Sequence, residues 1–257
     1  MRTVTALLAL VLSTAIFVGH TLADSSVQSQ AKHTPKEYVI LAHGLGRGDS
    51  SMWRMRQRFE DQGFGVCTLD YDTIGETVES VLQDTAQQMD LCLKNTSADS
   101  IHFVGHSLGG LVIRAYLQAH PELVKDPRFG KAVLIGTPNK GSEIADHYDD
   151  SWLMEIGGGI SEALTTGQKS LGQQLEQSHL QIGIIAGTKS SAMTNKLFNG
   201  PNDGLVSVES TKLDNMQDFI AIKVGHAGMR YNEQVARQTL YFLRHGEFDH
   251  PATAPNL

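Results

Sequence analysis

Residues 101–111 read Ile-His-Phe-Val-Gly-His-Ser-Leu-Gly-Gly-Leu. An apolar run, Ile101–Val104, enters Gly105-His106-Ser107-Leu108-Gly109. Beyond it Leu111, Val112, Ala115 and Tyr116 recur at three- and four-residue spacing, the signature of one helix face. Strand, Gly-x-Ser-x-Gly, helix is the order in which a sharp turn lifts a serine hydroxyl above the edge of a sheet. The glycines serve a steric purpose: strand and helix meet so closely that side chains flanking the serine would collide.

The rest of the chain supports this reading. Strand patterns at Tyr38–Ala42, Gly65–Asp70, 101–104, Lys131–Ile135, Gln181–Ala186 and Phe219–Val224 alternate with helix patterns at Met52–Gln62, Glu76–Leu93, 109–119 and Asn232–Leu243. Such alternation predicts an α/β fold, a mostly parallel sheet of about six strands with helices on both faces. One connection is long. About 40 residues separate Ile135 from Gln181, against the usual 2–6. It leaves the sheet edge where ligands bind in open α/β folds. Residues 140–179 are therefore expected to form a small cap, or else a crossover helix with a long loop.

The N-terminus has the features of an export signal. Arg2 precedes an apolar run, Val4–Val18, and Thr21-Leu22-Ala23 offers a small-x-Ala cleavage site. Residues 1–23 are expected to be a signal peptide, with an N-terminal membrane anchor as the alternative. Residues 24–37 are expected to be loose, 38–244 to form the α/β domain and 245–257 a flexible tail. The expected location is the periplasm or beyond. The net charge is −7, and loss of Arg2 with the leader makes it −8. A domain this acidic is not expected to bind nucleic acid or an anionic membrane strongly. A monomer is expected.

The chain holds two cysteines, Cys67 and Cys92, with no CxxC pair, which argues against zinc. Cys67 lies near the start of a strand, and Cys92 near the end of the helix that returns to the same sheet edge. A disulfide and two buried thiols both fit this placement.

A serine needs a base, and the base needs an orienting acid. In this architecture the order along the chain is Ser, acid, His. Parallel strands all point their C-terminal ends at the site, so the partners must follow strands. His226 directly follows the last strand, in Val224-Gly225-His226-Ala227-Gly228. His120 and His179 fall at the wrong edge, His147 in the insertion, and His245 and His250 beyond the last helix. For the acid, Asp203 in Asn199-Gly200-Pro201-Asn202-Asp203-Gly204 follows the fifth strand, although an Asx-turn would suit it equally. Asp146 and Glu143 are the runners-up, while Asp214 and Asp218 precede the last strand. Two backbone donors are expected to stabilise the oxyanion: Leu108 N–H at the start of its helix, and Leu45 N–H in the loop His43-Gly44-Leu45-Gly46. Met52, Trp53 and Trp152 are the expected substrate-binding side chains.

These segments resemble the α/β-hydrolase superfamily. His-Gly-Leu-Gly at 43–46, Gly-His-Ser-Leu-Gly-Gly at 105–110, Gly-Pro-Asn-Asp-Gly-Leu-Val at 200–206 and Gly-His at 225–226 are similar to bacterial lipase-like hydrolases, and more loosely to PGAP-type GPI-inositol deacylases. The resemblance implies a triad of Ser107, Asp203 and His226, an oxyanion hole at Leu45 and Leu108, and a serine esterase acting on a small-molecule ester or lipid through an acyl-enzyme. An acyltransferase on the same triad and a catalytically silent binding module are the alternatives. Secreted lipases of this kind place a calcium-binding Asp two residues after the catalytic His. Gly228 stands there, so no metal and no cofactor are expected. Their lid is also larger and more apolar than residues 140–179.

Overall fold

The computed structural model describes residues 35–147, 159–167, 170–176, 180–190 and 194–250. The expected leader, Trp152 and His179 lie outside the described residues. Six strands, β1 Glu37–Ala42, β2 Gly65–Thr68, β3 Ser100–His106, β4 Phe129–Ile135, β5 Gln181–Gly187 and β6 Asp218–Ile222, form one sheet in the order β2-β1-β3-β4-β5-β6. Every pairing is parallel. Parallel strands require crossovers, and these place helices on both faces.

Helices α1 Trp53–Glu60, α2 Val78–Lys94 and α3 Leu108–Ala119 follow the first three strands. α2 and α3 bury Val81, Met89, Leu111, Val112 and Tyr116 against Ile40, Phe103 and Leu134 on one face. α1 and the C-terminal helix Glu233–His245 bury Met55, Phe59, Val235 and Phe242 against Val39, Val104 and Ile185 on the other. Thr77 caps α2, its side chain accepting Ser80 N–H at 3.1 Å, and Asn232 caps the last helix through Val235 N–H at 3.0 Å. Crossovers run from β1 to β2 in one direction and from β3 onward in the other. The order therefore reverses between β1 and β3, and ligands bind outside the strand ends at such a point.

Cys67 on the edge strand β2 and Cys92 near the end of α2 are joined in a disulfide, their Cα atoms 6.1 Å apart. Of the two arrangements that the sequence permits, the structure holds the bonded one.

The described part of the insertion forms three short helical segments, Glu143–His147, Gly159–Glu162 and Leu171–Gln174, rather than one crossover helix. Buried Arg114 of α3 anchors it: Nη1 donates to Asn139 Oδ1 and to the Gly172 carbonyl, both at 3.0 Å, and Nη2 to the Leu175 carbonyl at 2.9 Å. Burial lowers the pKa of this guanidinium to about 10.

Two expectations need correction. The tail expected to be flexible from His245 is packed as far as His250. Gly246 takes a left-handed conformation, φ 82°, and turns the chain back. Phe248, 2% exposed, then meets Phe242 with ring centroids 4.9 Å apart, and its N–H donates to Asp218 Oδ2 at 2.7 Å. Met52 and Trp53 do not line the cavity beside Ser107. Met52 is fully buried in the α1-side core, and Trp53 is 49% exposed with the Arg54 guanidinium over its ring. The 3₁₀ turn Asp49–Met52 sets the phase of α1 so that Met52 faces the core.

Candidate active site

β3 delivers Ser107 to the switch point. It has φ 56° and ψ −124°, and among the described residues it is the one non-glycine with positive φ. Such a conformation costs about 1–3 kcal/mol and persists only where the surroundings enforce it. The glycines enforce it. A Cβ on Gly109 would lie 2.3 Å from the Ala42 carbonyl oxygen, and one on Gly105 would lie 2.5 Å from Gly110 N. Strand, elbow and helix thus fit only without those side chains.

Ser107 Oγ lies 2.9 Å from His226 Nε2, and His226 Nδ1 lies 2.8 Å from Asp203 Oδ2. The bond to the carboxylate places the proton on Nδ1 and leaves Nε2 to accept from the serine hydroxyl. Asp203 is 3% exposed and His226 8%. Asp203 Oδ1 accepts the N–H groups of Leu205 at 2.9 Å and Val206 at 2.8 Å. The Asx-turn that Asn-Asp-Gly favours is therefore present, and it is what aims Oδ2 at the histidine. The backbone N–H of His226 donates to the Asp203 carbonyl at 2.9 Å, tying the two loops together. The competing acid Asp218 accepts instead from Phe248 and His250 at the opposite end of β6.

The loop after β1 passes beside the nucleophile; a Cβ on Gly44 would sit 3.0 Å from Ser107 Cβ. His43 is buried and stacks on Tyr71, with centroids 3.9 Å apart and planes 12° apart. Its Nδ1–H donates to the Gly44 carbonyl at 3.0 Å, and the Tyr71 hydroxyl donates to the His43 carbonyl. Burial holds the His43 pKa below the ordinary histidine value. Gly46 N–H donates to Thr73 Oγ1 at 2.8 Å, and Leu45 before it lines the cavity beside Ser107. Leu108 is the first residue of α3, and its N–H has no intrahelical acceptor.

His106, missed at the sequence level, supports the base. Its Nε2–H donates to the backbone carbonyl of His226 at 3.0 Å. Burial, reinforced by the neighbouring His226, pushes its pKa well below the ordinary value and keeps it neutral. The available signal was its position at the end of a largely apolar strand, buried from Ile101 onward.

Above Ser107 and His226 lies a cavity of about 260 Å³. Leu45, Pro138, Ile144, Leu164, Leu205 and Val206 form its apolar wall, and Arg47 and Arg230 lie along it. The insertion contributes Ile144, Ser161 and Leu164.

The comparisons with known proteins fit this architecture. A family model described as palmitoyl protein thioesterase matches residues 38–185, from β1 into β5 and including Ser107. A triacylglycerol lipase from Pseudarthrobacter phenanthrenivorans is 32% identical over 87 residues, 34% of this chain and 26% of that protein. Salicylic acid-binding protein 2 of Nicotiana tabacum is 23% identical over 128 residues, 46% of this chain and 49% of that protein. The match thus spans less than half the length of either relative. Among solved structures, mature lipase BlEst2 of Bacillus licheniformis superposes with TM-score 0.64 at 19% identity, over 83% of this chain and 94% of that one. The metagenomic carboxyl esterase MGS0156 gives TM-score 0.62 at 17% identity, over 76% and 66%. These superpositions show the α/β-hydrolase fold, and the family match extends over more than half of the chain: the chain belongs to the palmitoyl protein thioesterase family.

Proposed function

We propose that this protein is a serine hydrolase that cleaves carboxylic esters or thioesters of short or medium acyl chains through an acyl-enzyme. The carrying observation is the unbroken chain from Ser107 Oγ through His226 to Asp203 at the floor of an apolar cavity. His226 Nε2 takes the serine proton as Oγ attacks the acyl carbon. The developing oxyanion meets the N–H groups of Leu45 and Leu108, held in place by the His43–Tyr71 stack and by the start of α3. The acyl carbon–heteroatom bond then breaks, and His226 gives its proton to the leaving oxygen or sulfur. Water, deprotonated by the same base, hydrolyses the acyl-enzyme and frees Ser107.

The disulfide and the leader-like N-terminus support a place outside the cytoplasm, because such bonds persist in oxidising compartments. The test is labelling by a fluorophosphonate probe, which reacts fast only with an activated serine. Wild type labels at Ser107 and Ser107→Ala does not. Folded wild-type protein that fails to label overturns the reading.

A further inference from the structure

Among the described residues, the cavity beside Ser107 carries two cations without a matching acid. Arg230 is only 5% exposed. Its Nε donates to the Ala227 carbonyl at 3.3 Å and its guanidinium lies over the Tyr231 ring, 4.9 Å from the centroid. Neither contact neutralises the charge. Arg47, exposed, lines the same cavity. Among the described residues no carboxylate forms an ion pair with either arginine, whereas other arginines of the chain, Arg56, Arg128, Arg237 and Arg244, each have one. The one carboxylate of the triad, Asp203, is engaged by His226 and by two backbone N–H groups. In a protein of net charge −7, the described residues thus gather two positive charges at the reaction centre.

A buried, unpaired guanidinium is costly to keep unless an anion arrives to share its hydrogen bonds. Burial, together with the charge of Arg47, lowers the Arg230 pKa from its ordinary value.

Position decides which part of a substrate would bring that anion. The leaving group must come within reach of His226 Nε2 to receive its proton. Arg230 lies on the same 3₁₀ segment as that base, His226–Tyr231, and so belongs to the leaving-group side. The apolar wall of Pro138, Ile144, Leu164 and Val206 remains for the acyl chain. We infer that the preferred substrate is an acyl ester or thioester whose leaving group carries an anionic oxyacid, phosphate or carboxylate, received by Arg230 and Arg47. This rests on the hydrolase reading above and narrows its substrate class.

The test compares neutral and anionic leaving groups under one acyl chain. The carboxylate arm pairs the hexanoate ester of 2-nitrophenol with that of 3-hydroxy-4-nitrobenzoate. The phosphate arm pairs S-hexanoyl-N-acetylcysteamine with hexanoyl-coenzyme A. In wild type, kcat/KM should favour the anionic member of at least one pair by roughly tenfold or more, and the favoured arm identifies the oxyacid. The anionic-to-neutral ratio should fall toward unity in Arg230→Gln and partly in Arg47→Gln. Arg47 is exposed, so the second variant keeps the test open if the first misfolds. Equal rates within both pairs, or a preference that survives both substitutions, overturn the inference while the hydrolase reading stands. A wild type that turns over none of the four compounds and does not label with the fluorophosphonate overturns the hydrolase reading instead.

Discussion

His106 Nε2–H donates to the backbone carbonyl of His226 at 3.0 Å, so the residue before the nucleophile holds the residue that activates it. The two rings lie 4.9 Å apart, and Ser107 Oγ meets the same imidazole at Nε2. His106 is a positioning residue: it fixes the height of His226 over Ser107 without touching the reacting atoms. His106→Ala should lower kcat by about tenfold to a hundredfold with little change in KM, since a misplaced base weakens the transition state more than binding. His106→Gln, which restores an N–H donor, should recover part of the loss. Equal loss in both variants, or loss confined to KM, would remove the positioning role.

Ser107→Ala should abolish turnover by about 10⁴–10⁶-fold, because the triad acts as a unit. Asp203→Asn is the sharper experiment. Oδ1 can still accept from Leu205 and Val206, so the turn persists, but an NH₂ group then faces His226 Nδ1. The imidazole is forced into the wrong tautomer, at a cost of about 10⁴-fold in kcat with the melting temperature preserved. Asp146→Asn should be close to wild type. The reverse pattern would move the acid to Asp146.

Much of this site was legible because parallel strands obey an edge rule. A residue just after a strand lies at the ligand edge and one just before it does not, which selects His226 over His179 and Asp203 over Asp218 without any coordinates. What the rule omits is contact between distant loops. Tyr71 under His43 and Arg114 beneath the insertion carry no local pattern, since each acts through a partner far away in sequence. Met52 and Trp53 misled for a related reason. They follow the loop after β1 closely in sequence, but Met52 ends the 3₁₀ turn buried in the core and Trp53 beyond it faces solvent. The tail misled because one left-handed glycine, Gly246, was enough to return Phe248 to the core.

Acid should destabilise the fold through histidines held neutral. His102, 2% exposed, accepts Lys131 N–H on Nδ1 at 3.1 Å and has Nε2 3.1 Å from Ser100 Oγ. Burial, with Lys131 adding to it, lowers its pKa to about 4. The unfolded chain binds this proton below about pH 6.5, the folded chain only below about 4. The stabilisation is therefore complete above the first value and is lost as pH falls through the second, about 3 kcal/mol in all. His43 and His106 shift in the same direction. Urea midpoints measured from pH 7.5 down to 4 should fall steeply in wild type and less steeply in His102→Gln. Parallel curves would exclude His102 as a contributor.

The disulfide secures the exposed edge of the sheet. β2 pairs with β1 alone, and Cys67 lies opposite Ile40 in that pairing. The bond closes a loop with sequence separation 25, which in the chain-entropy model contributes about 3 kcal/mol. Wild type should lose about that much stability under reductant, measured by guanidinium denaturation. The double variant Cys67→Ala, Cys92→Ala should start lower and be insensitive to reductant. A wild type equally indifferent to reductant would show that the edge strand does not need the bond.

The acyl-chain preference follows from the cavity. Its apolar wall offers each methylene about 0.8 kcal/mol, or about fourfold in kcat/KM, until the space of about 260 Å³ is filled. Across p-nitrophenyl esters from acetate to palmitate, kcat/KM should rise over the first members and peak at a short or medium chain. Leu164 and Ile144 stand on the insertion side of the wall. Leu164→Ala should lengthen the pocket and move the peak toward longer chains, whereas Ile144→Phe should move it toward shorter ones. The directions are opposite because one change removes volume from the wall and the other adds it. A maximum at palmitate that neither substitution moves would mean that the acyl chain runs elsewhere, and would point to a long-chain substrate like that in the family's name.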